Sequence, residues 1–299
     1  MKRRLMALIG AIALCSASSA QSGGVLPPDP PQGFAGLWSH PYLTGMEPPA
    51  SGPGPVLNLS RRPDGRANFG RLVGNWKNPI LKPQAAQVVK GFGDLSLKGA
   101  GYETPSNQCW PGGVPYVFWD FLLDFVPSKD HITFVYRHGQ EMRFIRLNSQ
   151  HPAHVTPSWY GDSIGHYEGA DTLVVDTVGI KHGPYAMLDM YGTPFSDRLH
   201  IVERYQLVPY SEAADSIARN DHENTHAGGG WDFDPKYRGK VLRLTFTVDD
   251  PDEFTTPWTG TITYRPSIDP WPELICSENP HWFTMESESH IPTATKPDF

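Results

Sequence analysis

The amino-acid sequence predicts an all-β protein, an antiparallel barrel or sandwich with a few short helices and long loops. Several segments alternate apolar and polar residues with the two-residue period of a strand. No long amphipathic helical segment separates them, which excludes a doubly wound α/β fold. With 29 glycines and 30 prolines among 299 residues, the chain is also rich in residues that form turns between short strands.

The predicted strands include one clear hairpin. Residues 131–138 (HITFVYRH) place bulky side chains on one face, and residues 142–147 (MRFIRL) follow as the partner strand. A proline marks the start of a short helix predicted at 83–90 (PQAAQVVK). The other predicted strands are 172–178 (TLVVDTV), 199–207 (LHIVERYQL), 242–249 (LRLTFTVD) and 258–264 (WTGTITY).

Residues 1–20 have the organisation of a secretory signal peptide. A basic stretch at 2–4 precedes an apolar run, and small residues precede a predicted cleavage site after Ala20. The run is too short to span a membrane, which takes about 20 apolar residues. Cleavage before Cys15, as in a lipoprotein, is the alternative. We therefore expect a periplasmic or secreted protein that has no membrane contact after signal cleavage.

The mature chain is predicted to form one domain. Residues 21–60 are rich in proline and glycine and are expected to wrap the domain as an extended segment, and residues 61–299 are expected to form the β-rich domain itself. Residues 210–240 break the strand rhythm and predict a short helix followed by a polar loop. A net charge of −7 with scattered basic residues argues against a nucleic-acid partner.

Two cysteines remain after removal of the signal peptide. Cys109 and Cys276 are an even pair in an oxidising compartment, so we predict a disulfide bond between them. The bond would close a long loop, for which the loop-entropy model gives a stabilisation of about 4–5 kcal/mol. Two free buried thiols are the alternative.

Six short motifs are spread along the mature chain: GLW at Gly36, CWPGGVP at Cys109, PSWYGDSIGHYEGADTLVVDT at Pro157, LHIVERYQL at Leu199, TVDDPDEFTTPW at Thr247 and LICSEN at Leu274. Their order and spacing resemble those of a family of secreted bacterial proteins. The first motif also has the G-x-W spacing found on the first strand of lipocalins. The resemblance implies export and a β-rich, lipocalin-like fold, and it implies little about the reaction.

The chain departs from the family pattern in two places. Tyr167 stands where the family usually has tryptophan, and Ala170 is an additional residue, so any role of Glu168 depends on how that residue is accommodated. The connection at 210–240 is longer than the family's short turn. We therefore predict that this segment is an insertion that acts as a lid or a specificity loop.

Glu203 is the first candidate for catalysis. It shares a strand face with the apolar residues of LHIVERYQL, so it is expected to project into an apolar interior. A buried carboxylate is either paired or protonated with a raised pKa, and the second state is that of a general acid or base. The structural alternative is an ion pair with an arginine of another strand, such as Arg143 or Arg243.

Three further residues are candidates for acid/base work. Asp176 is unusual within a β-branched strand, where it either lines a polar cavity or closes a turn. His166 and Glu168 precede that strand in a segment whose glycines predict a flexible loop, and a histidine beside a carboxylate titrates near neutral pH. A loop stabilised by local hydrogen bonds is the alternative. We predict Glu203 as the buried acid/base and Asp176 or His166 as its complement.

Aromatic residues predict a ligand pocket, although the same residues are also expected in a packed core. The predicted ligand-binding residues are Trp159, Tyr205, Trp258 and Arg143. No P-loop, dinucleotide fingerprint or G-x-S-x-G elbow is present, so we expect no cofactor. His222 and His226 have the i, i+4 spacing of zinc ligands on a helix, but the glycines that follow argue against a stable helix there.

These residues predict three alternative functions, of which the first two are the principal ones. The first is an exported acid/base enzyme, an isomerase, lyase or hydratase, that acts without a cofactor on a small hydrophobic, aromatic or terpenoid molecule. The second is a periplasmic carrier of a hydrophobic ligand, in which Glu203 and Asp176 are held by arginines. The third is a metal-dependent hydrolase that uses His222 and His226.

Overall fold

A computed structural model describes residues 31–99, 101–137, 141–223, 234 and 236–268. Their strands close into a single β-barrel, in which each strand pairs with the next along the chain and the last pairs with the first. The predicted all-β fold is therefore confirmed, and it is a barrel. The strands are β1 (Gly36–Ser39), β2 (Leu122–Pro127), β3 (His131–Tyr136), β4 (Glu141–Leu147), β5 (Asp162–Tyr167), β6 (Thr172–Val178), β7 (His200–Pro209), β8 (Lys240–Asp249) and β9 (Trp258–Pro266), and the α-helices are α1 (Pro83–Leu97) and α2 (Tyr210–Glu223).

The odd number of strands in this barrel has a geometric consequence. Nine strands in a closed ring cannot all alternate in direction, and β4 and β5 are parallel neighbours. Ile145 lies opposite Ser163 and Leu147 lies opposite Gly165 in this short ladder. The chain between β4 and β5 therefore runs back along the barrel, because a parallel partner has to start at the same end.

Because of the strand directions, most of the long connections lie at one end of the barrel, which we call the loop end. It receives residues 40–121 between β1 and β2, residues 179–199 between β6 and β7, and residues 250–257 between β8 and β9. Residues 148–161, which we call the return segment, lead from β4 to the start of β5 and also end there. Loops placed on a rigid scaffold are where binding and catalytic residues are most often found, so this end is the first place to look for a site.

Side chains fill the interior of the barrel. The rings of Phe125 and Phe134 lie 4.7 Å apart, and Tyr205 packs 5.1 Å from Phe134. A second group joins Phe246 to Phe118 at 5.1 Å and to Trp258 at 6.1 Å. Barrels of about eight strands have interiors that side chains can just fill, so these rings form the hydrophobic core.

The strands at 131–136, 141–147, 172–178 and 200–209 lie where the alternating patterns predict them. The helix predicted at 83–90 also forms and continues to Leu97, with proline at its first turn. Gly36 starts β1 at a φ of 117°, which glycine adopts readily, and Trp38 donates a 2.8 Å hydrogen bond to the carbonyl of Phe34. The G-x-W motif thus lies on the first strand of the barrel.

Three strands differ from the prediction. β2 has no counterpart among the predicted strands, and β1 and β5 lie in segments that were not expected to form strands. β1 belongs to the segment at 21–60 that was expected to wrap the domain, so the barrel begins before residue 61. β5 lies in the segment that was expected to be a flexible loop. Gly165 is buried there, and a β-carbon at this position would come within 3.0 Å of Ile145 and 3.2 Å of the Val174 carbonyl. This glycine permits close packing, which the sequence alone could not distinguish from flexibility.

The 210–240 segment begins with α2, which is longer than the short helix predicted there. The helix packs on the outside of β7, β8 and β9, where Ala213 and Ile217 contact Val208 and Val241. Ion pairs hold the exposed side of α2: Arg219 with Glu47, Asp221 with Arg265, and Glu223 with Arg61. Residues 224–233 and 235 lie outside the described residues, so the role of the segment as a lid stays a prediction.

The predicted signal peptide and the predicted disulfide bond both involve residues whose structure is not described. The predicted signal peptide lies outside the described residues. Cys109 follows a short 3₁₀ turn in a left-handed conformation, with a φ of 52°, but Cys276 is outside the described part of the chain. The disulfide bond therefore stays a prediction. Within the described part, the helices are too short or too polar to cross a bilayer.

Candidate functional site

Glu203 lies inside the barrel, as its strand face predicts, and its carboxylate is bound to Arg143. The guanidinium donates from Nη1 to Oε2 at 2.7 Å and from Nη2 to Oε1 at 2.6 Å. Both side chains have no exposure to solvent. Burial opposes the charge on Arg143, but the adjacent carboxylate outweighs it and raises the pKa of the guanidinium.

Hydroxyl groups complete this buried network. Arg143 donates from Nε to Ser163 Oγ at 3.1 Å and from Nη2 to Thr177 Oγ1 at 2.6 Å, and Tyr205 donates to Glu203 Oε2 at 2.8 Å. A buried ion pair is stable when its remaining donors and acceptors are satisfied in this way. The ion pair with Arg143 was the structural alternative for Glu203, and this geometry favours it over acid/base work.

A second polar group lies on the outer face of the barrel near the loop end. It consists of Arg146, His151, Asp162, Asp176 and His200, which we call the histidine–aspartate cluster. Asp162 and Asp176 come from the outer faces of β5 and β6, His200 begins β7, and His151 arrives on the return segment after β4. With Arg146 on β4, the cluster is thus assembled from five separate parts of the chain.

The strand register explains why the two aspartates and His200 meet. Asp176 lies opposite Val202, and His200 is two residues away on the same face of β7. Asp162 lies opposite Val178, two residues from Asp176 on β6. Side chains offset diagonally by two residues on one face of a sheet are within reach of each other.

His151 forms a bridge between the two carboxylates. Its Nδ1 lies 2.6 Å from Asp162 Oδ1, and its Nε2 lies 2.9 Å from Asp176 Oδ1. Since ionised carboxylates only accept hydrogen bonds, both ring nitrogens must donate, and the imidazole must be protonated to do so. Partial burial opposes that charge, but the hydrogen bonds with Asp162 and Asp176 prevail and raise the pKa of His151 above 6.5.

Arg146 holds the far end of the cluster. It donates from Nη1 to Asp162 Oδ2 at 2.6 Å and from Nη2 to Asp162 Oδ1 at 3.0 Å. These hydrogen bonds, with a smaller contribution from His151, lower the pKa of Asp162 despite its partial burial. Asp162 is therefore a fixed negative charge that orients His151.

Asp176 and His200 form the more accessible end. The imidazole Nε2 of His200 lies 3.0 Å from Asp176 Oδ2 and 3.1 Å from Oδ1. The His200 side chain is 40% exposed and that of Asp176 is 36% exposed. A neutral imidazole that donates from Nε2 carries its lone pair on Nδ1, so the carboxylate orients a base toward solvent.

The predicted catalytic residues are not brought together. Glu203 lies opposite Val175 and points inward, so the next residue on β6, Asp176, points outward. His166 and Glu168 are exposed at the other end of β5, where His166 Nε2 lies 3.7 Å from Glu168 Oε1 and Glu168 pairs with Arg204. Of the predicted set, Asp176 alone belongs to the histidine–aspartate cluster.

The predicted ligand-binding residues are also dispersed. Arg143 and Tyr205 belong to the buried network, and Trp258 packs between Phe246 and Phe254 at ring distances of 6.1 and 5.9 Å. Trp159 lies apart from them at the loop end. Three of the four residues are therefore part of the packed core.

His151, His200, Asp162 and Arg146 were not among the predicted site residues. Each of the two histidines stands beside a strand or in a loop, with no spacing that marks a site. A usable signal was the placement of His200 and Asp176 on the outward faces of two predicted strands. That signal becomes specific only when the register between β6 and β7 is known.

A metal centre finds no support within the described part of the chain, where no group of three or more His, Cys, Asp and Glu side chains is arranged to hold an ion. His222 is exposed at the end of α2, and His226 lies outside the described residues. The predicted metal pair therefore stays a prediction.

Comparison of the chain with protein-family models, with curated proteins and with solved structures yields no match. The resemblance carried by the six motifs consequently stays a prediction.

Proposed function

We propose that this protein is an acid/base enzyme that moves protons on a small hydrophobic molecule, and that its working groups are Asp176 and His200 on the outside of the barrel. The single observation that carries the proposal is the pair's geometry: an accessible imidazole held by a carboxylate at 3.0 Å, at the end of the barrel where the long loops gather.

In this proposal His200 is the general base. Its Nδ1 takes a proton from the substrate and returns it at a second position, as an isomerase, lyase or hydratase requires. Asp176 fixes the tautomer and stabilises the imidazolium that forms, which is the role of the carboxylate in a catalytic triad. General acid/base catalysis of this kind contributes about 10²–10⁴-fold to a rate.

His151 and Asp162 position the carboxylate. The bridging imidazole binds Asp176 Oδ1 at 2.9 Å and is itself held by Asp162 at 2.6 Å. These hydrogen bonds prevent the Asp176 carboxylate from rotating away from His200, because His151 already binds one of the carboxylate oxygens. The proposal therefore assigns His151 and Asp162 as positioning residues.

The interior of the barrel offers less support for catalysis. Glu203 is engaged by Arg143 and Tyr205, and aromatic rings in mutual contact occupy the space around them. A non-catalytic carrier remains the second candidate function, and the Arg143–Glu203 pair favours it, because a carrier needs no free acid in its interior.

Deuterium exchange tests the proposed chemistry without a known substrate. The protein is incubated in D₂O with a panel of small hydrophobic ketones and enones, and incorporation at the carbon next to the carbonyl is measured by mass spectrometry. We expect catalysed exchange by the wild type and a loss of about 10²-fold or more in His200→Gln and Asp176→Asn.

The control is His131→Gln. His131 is similarly exposed and pairs with Asp130 at 2.7 Å, but it lies on β3, three strands away from Asp176 on β6. Exchange that survives in His200→Gln as well as in the control would contradict the proposal. A wild type that exchanges no member of the panel would favour the carrier.

A further inference from the structure

Three aromatic side chains from separate connections meet at the loop end. Trp110 packs edge-on against Trp159 at 5.2 Å and against Tyr185 at 5.8 Å. We call these three residues the aromatic cluster. Trp110 remains 38% exposed, which is unusual for so large an apolar ring. The cluster thus presents aromatic surface to solvent.

Trp159 is held rigidly within the cluster. A β-carbon at Gly183 would come within 2.6 Å of its Cη2 atom, so this glycine lets the backbone pack directly on the indole. Lys181 places its ammonium 4.8 Å from the centre of the same ring and donates its backbone N–H to the Ser158 carbonyl at 2.8 Å. A fixed ring with a cation at its side is a preorganised surface.

The aromatic cluster is close to the histidine–aspartate cluster. Trp159 is three residues before Asp162, so their Cα atoms are at most about 11 Å apart. From Asp162, hydrogen bonds of 2.6 and 2.9 Å lead through His151 to Asp176, the partner of His200. A small molecule on the aromatic cluster would therefore lie on the same end of the barrel as the proposed base.

We propose that the aromatic cluster binds a small carboxylate that carries an aromatic ring, with the ring on the exposed face of Trp110 and the carboxylate at Lys181. The Lys181 ammonium lies 4.8 Å from the centre of the Trp159 ring, and that centre lies 5.2 Å from the centre of the Trp110 ring. The separation between the ammonium and the Trp110 ring is therefore at most the sum of these two distances. The assignment of this ligand class as the substrate of the Asp176–His200 pair rests on the proposed function. Binding itself is independent of turnover.

Binding is measured with two probes of matched shape. Phenylacetate carries the charge, and phenylacetamide is its neutral counterpart. The indole N–H signals of ¹⁵N-labelled protein are followed by NMR during each titration. We expect saturable shifts with phenylacetate, with an affinity reduced about tenfold or more, equivalent to ~1.4 kcal/mol, in Lys181→Met. The affinity for phenylacetamide is expected to stay the same in that variant.

Trp110→Leu is expected to abolish saturable binding of both probes. The matched control is Lys77→Met, since Lys77 lies 5.1 Å from the Trp76 ring in another exposed cation–π pair. Equal phenylacetate affinity in Lys181→Met and Lys77→Met, or no saturable shift in the wild type up to ~10 mM, would overturn the proposal. The titrations need no catalysis, so His200→Gln is expected to bind phenylacetate normally even if it exchanges no protons.

Discussion

Arg143 on β4 and Glu203 on β7 meet inside the barrel although their strands are not neighbours, with N–O distances of 2.6 and 2.7 Å. Ser163 on β5 and Thr177 on β6 bind the same guanidinium. The network thus ties together four consecutive strands. It includes the parallel seam between β4 and β5, whose ladder has only three residue pairs.

We predict that Glu203→Gln destabilises the fold by about 3–5 kcal/mol, because it leaves the Arg143 guanidinium buried without its counter-charge. Urea denaturation followed by circular dichroism measures the change. The control is Glu168→Gln, which breaks the exposed ion pair with Arg204 and is expected to change stability far less, because water screens that pair. Similar losses in the two variants would show that the buried pair does not stabilise the seam.

The protonated state of His151 makes stability depend on pH. Its pKa is raised in the folded protein, so its contribution is complete below the unfolded pKa of about 6.5 and is lost as pH rises through the folded pKa. We expect the wild type to lose roughly 1 kcal/mol over that rise, and His151→Gln to show a flatter profile. Unfolding free energies measured across this range test the prediction. A wild-type profile no steeper than that of the variant would contradict it.

The buried carboxyl of Asp189 makes the folding stability depend on pH in a lower range than His151 does. Burial raises its pKa to about 6, although hydrogen bonds from Thr193 and the Tyr191 N–H oppose the shift. The folded state therefore prefers the protonated acid, and the stability that this gives is present below about pH 4 and lost as pH rises through 6. Asp189→Asn is expected to gain up to about 2–3 kcal/mol relative to the wild type between pH 4 and pH 7.

Denaturation of the wild type and Asp189→Asn at both pH values gives this difference directly. Because His151 is present in both proteins, its contribution cancels in the difference between them. A difference between the two proteins that does not change with pH would show that Asp189 is ionised in the fold at both values.

Gly179 is required by both its conformation and its surroundings. Its φ is 66°, and a β-carbon there would collide with Cγ1 of Val155 on the return segment that carries His151. Gly169 has a φ of 69° and open space around it. We expect Gly169→Ala to cost about 1–2 kcal/mol from strain alone and Gly179→Ala to cost a further 1–3 kcal/mol from the collision.

The double variant Gly179→Ala with Val155→Ala isolates the second contribution. Thermal denaturation should show that removing the valine side chain recovers most of the stability lost to the collision. If the single and double variants melt at the same temperature, the return segment does not pack on Gly179 as the structure shows.

Much of the fold could be predicted from the sequence. Strands such as 172–178 keep a strict two-residue alternation, and a face that packs into a core must be apolar at every second position. β5 was not predicted because Asp162 and Gly165 have low strand propensity, and the place of this strand is decided by its contacts with β4 and β6. β1 was missed for a related reason, since it is short and follows a proline-rich segment.

The inward position of Glu203 was determined by the sequence, because alternation along one strand fixes which side chains share a face. Its partner, the closure of the ring, and the meeting of His151, Asp162, Asp176 and His200 were decided only by the tertiary structure. Those contacts depend on register and on the parallel return after β4, and residues distant in the chain carry no local pattern that records them.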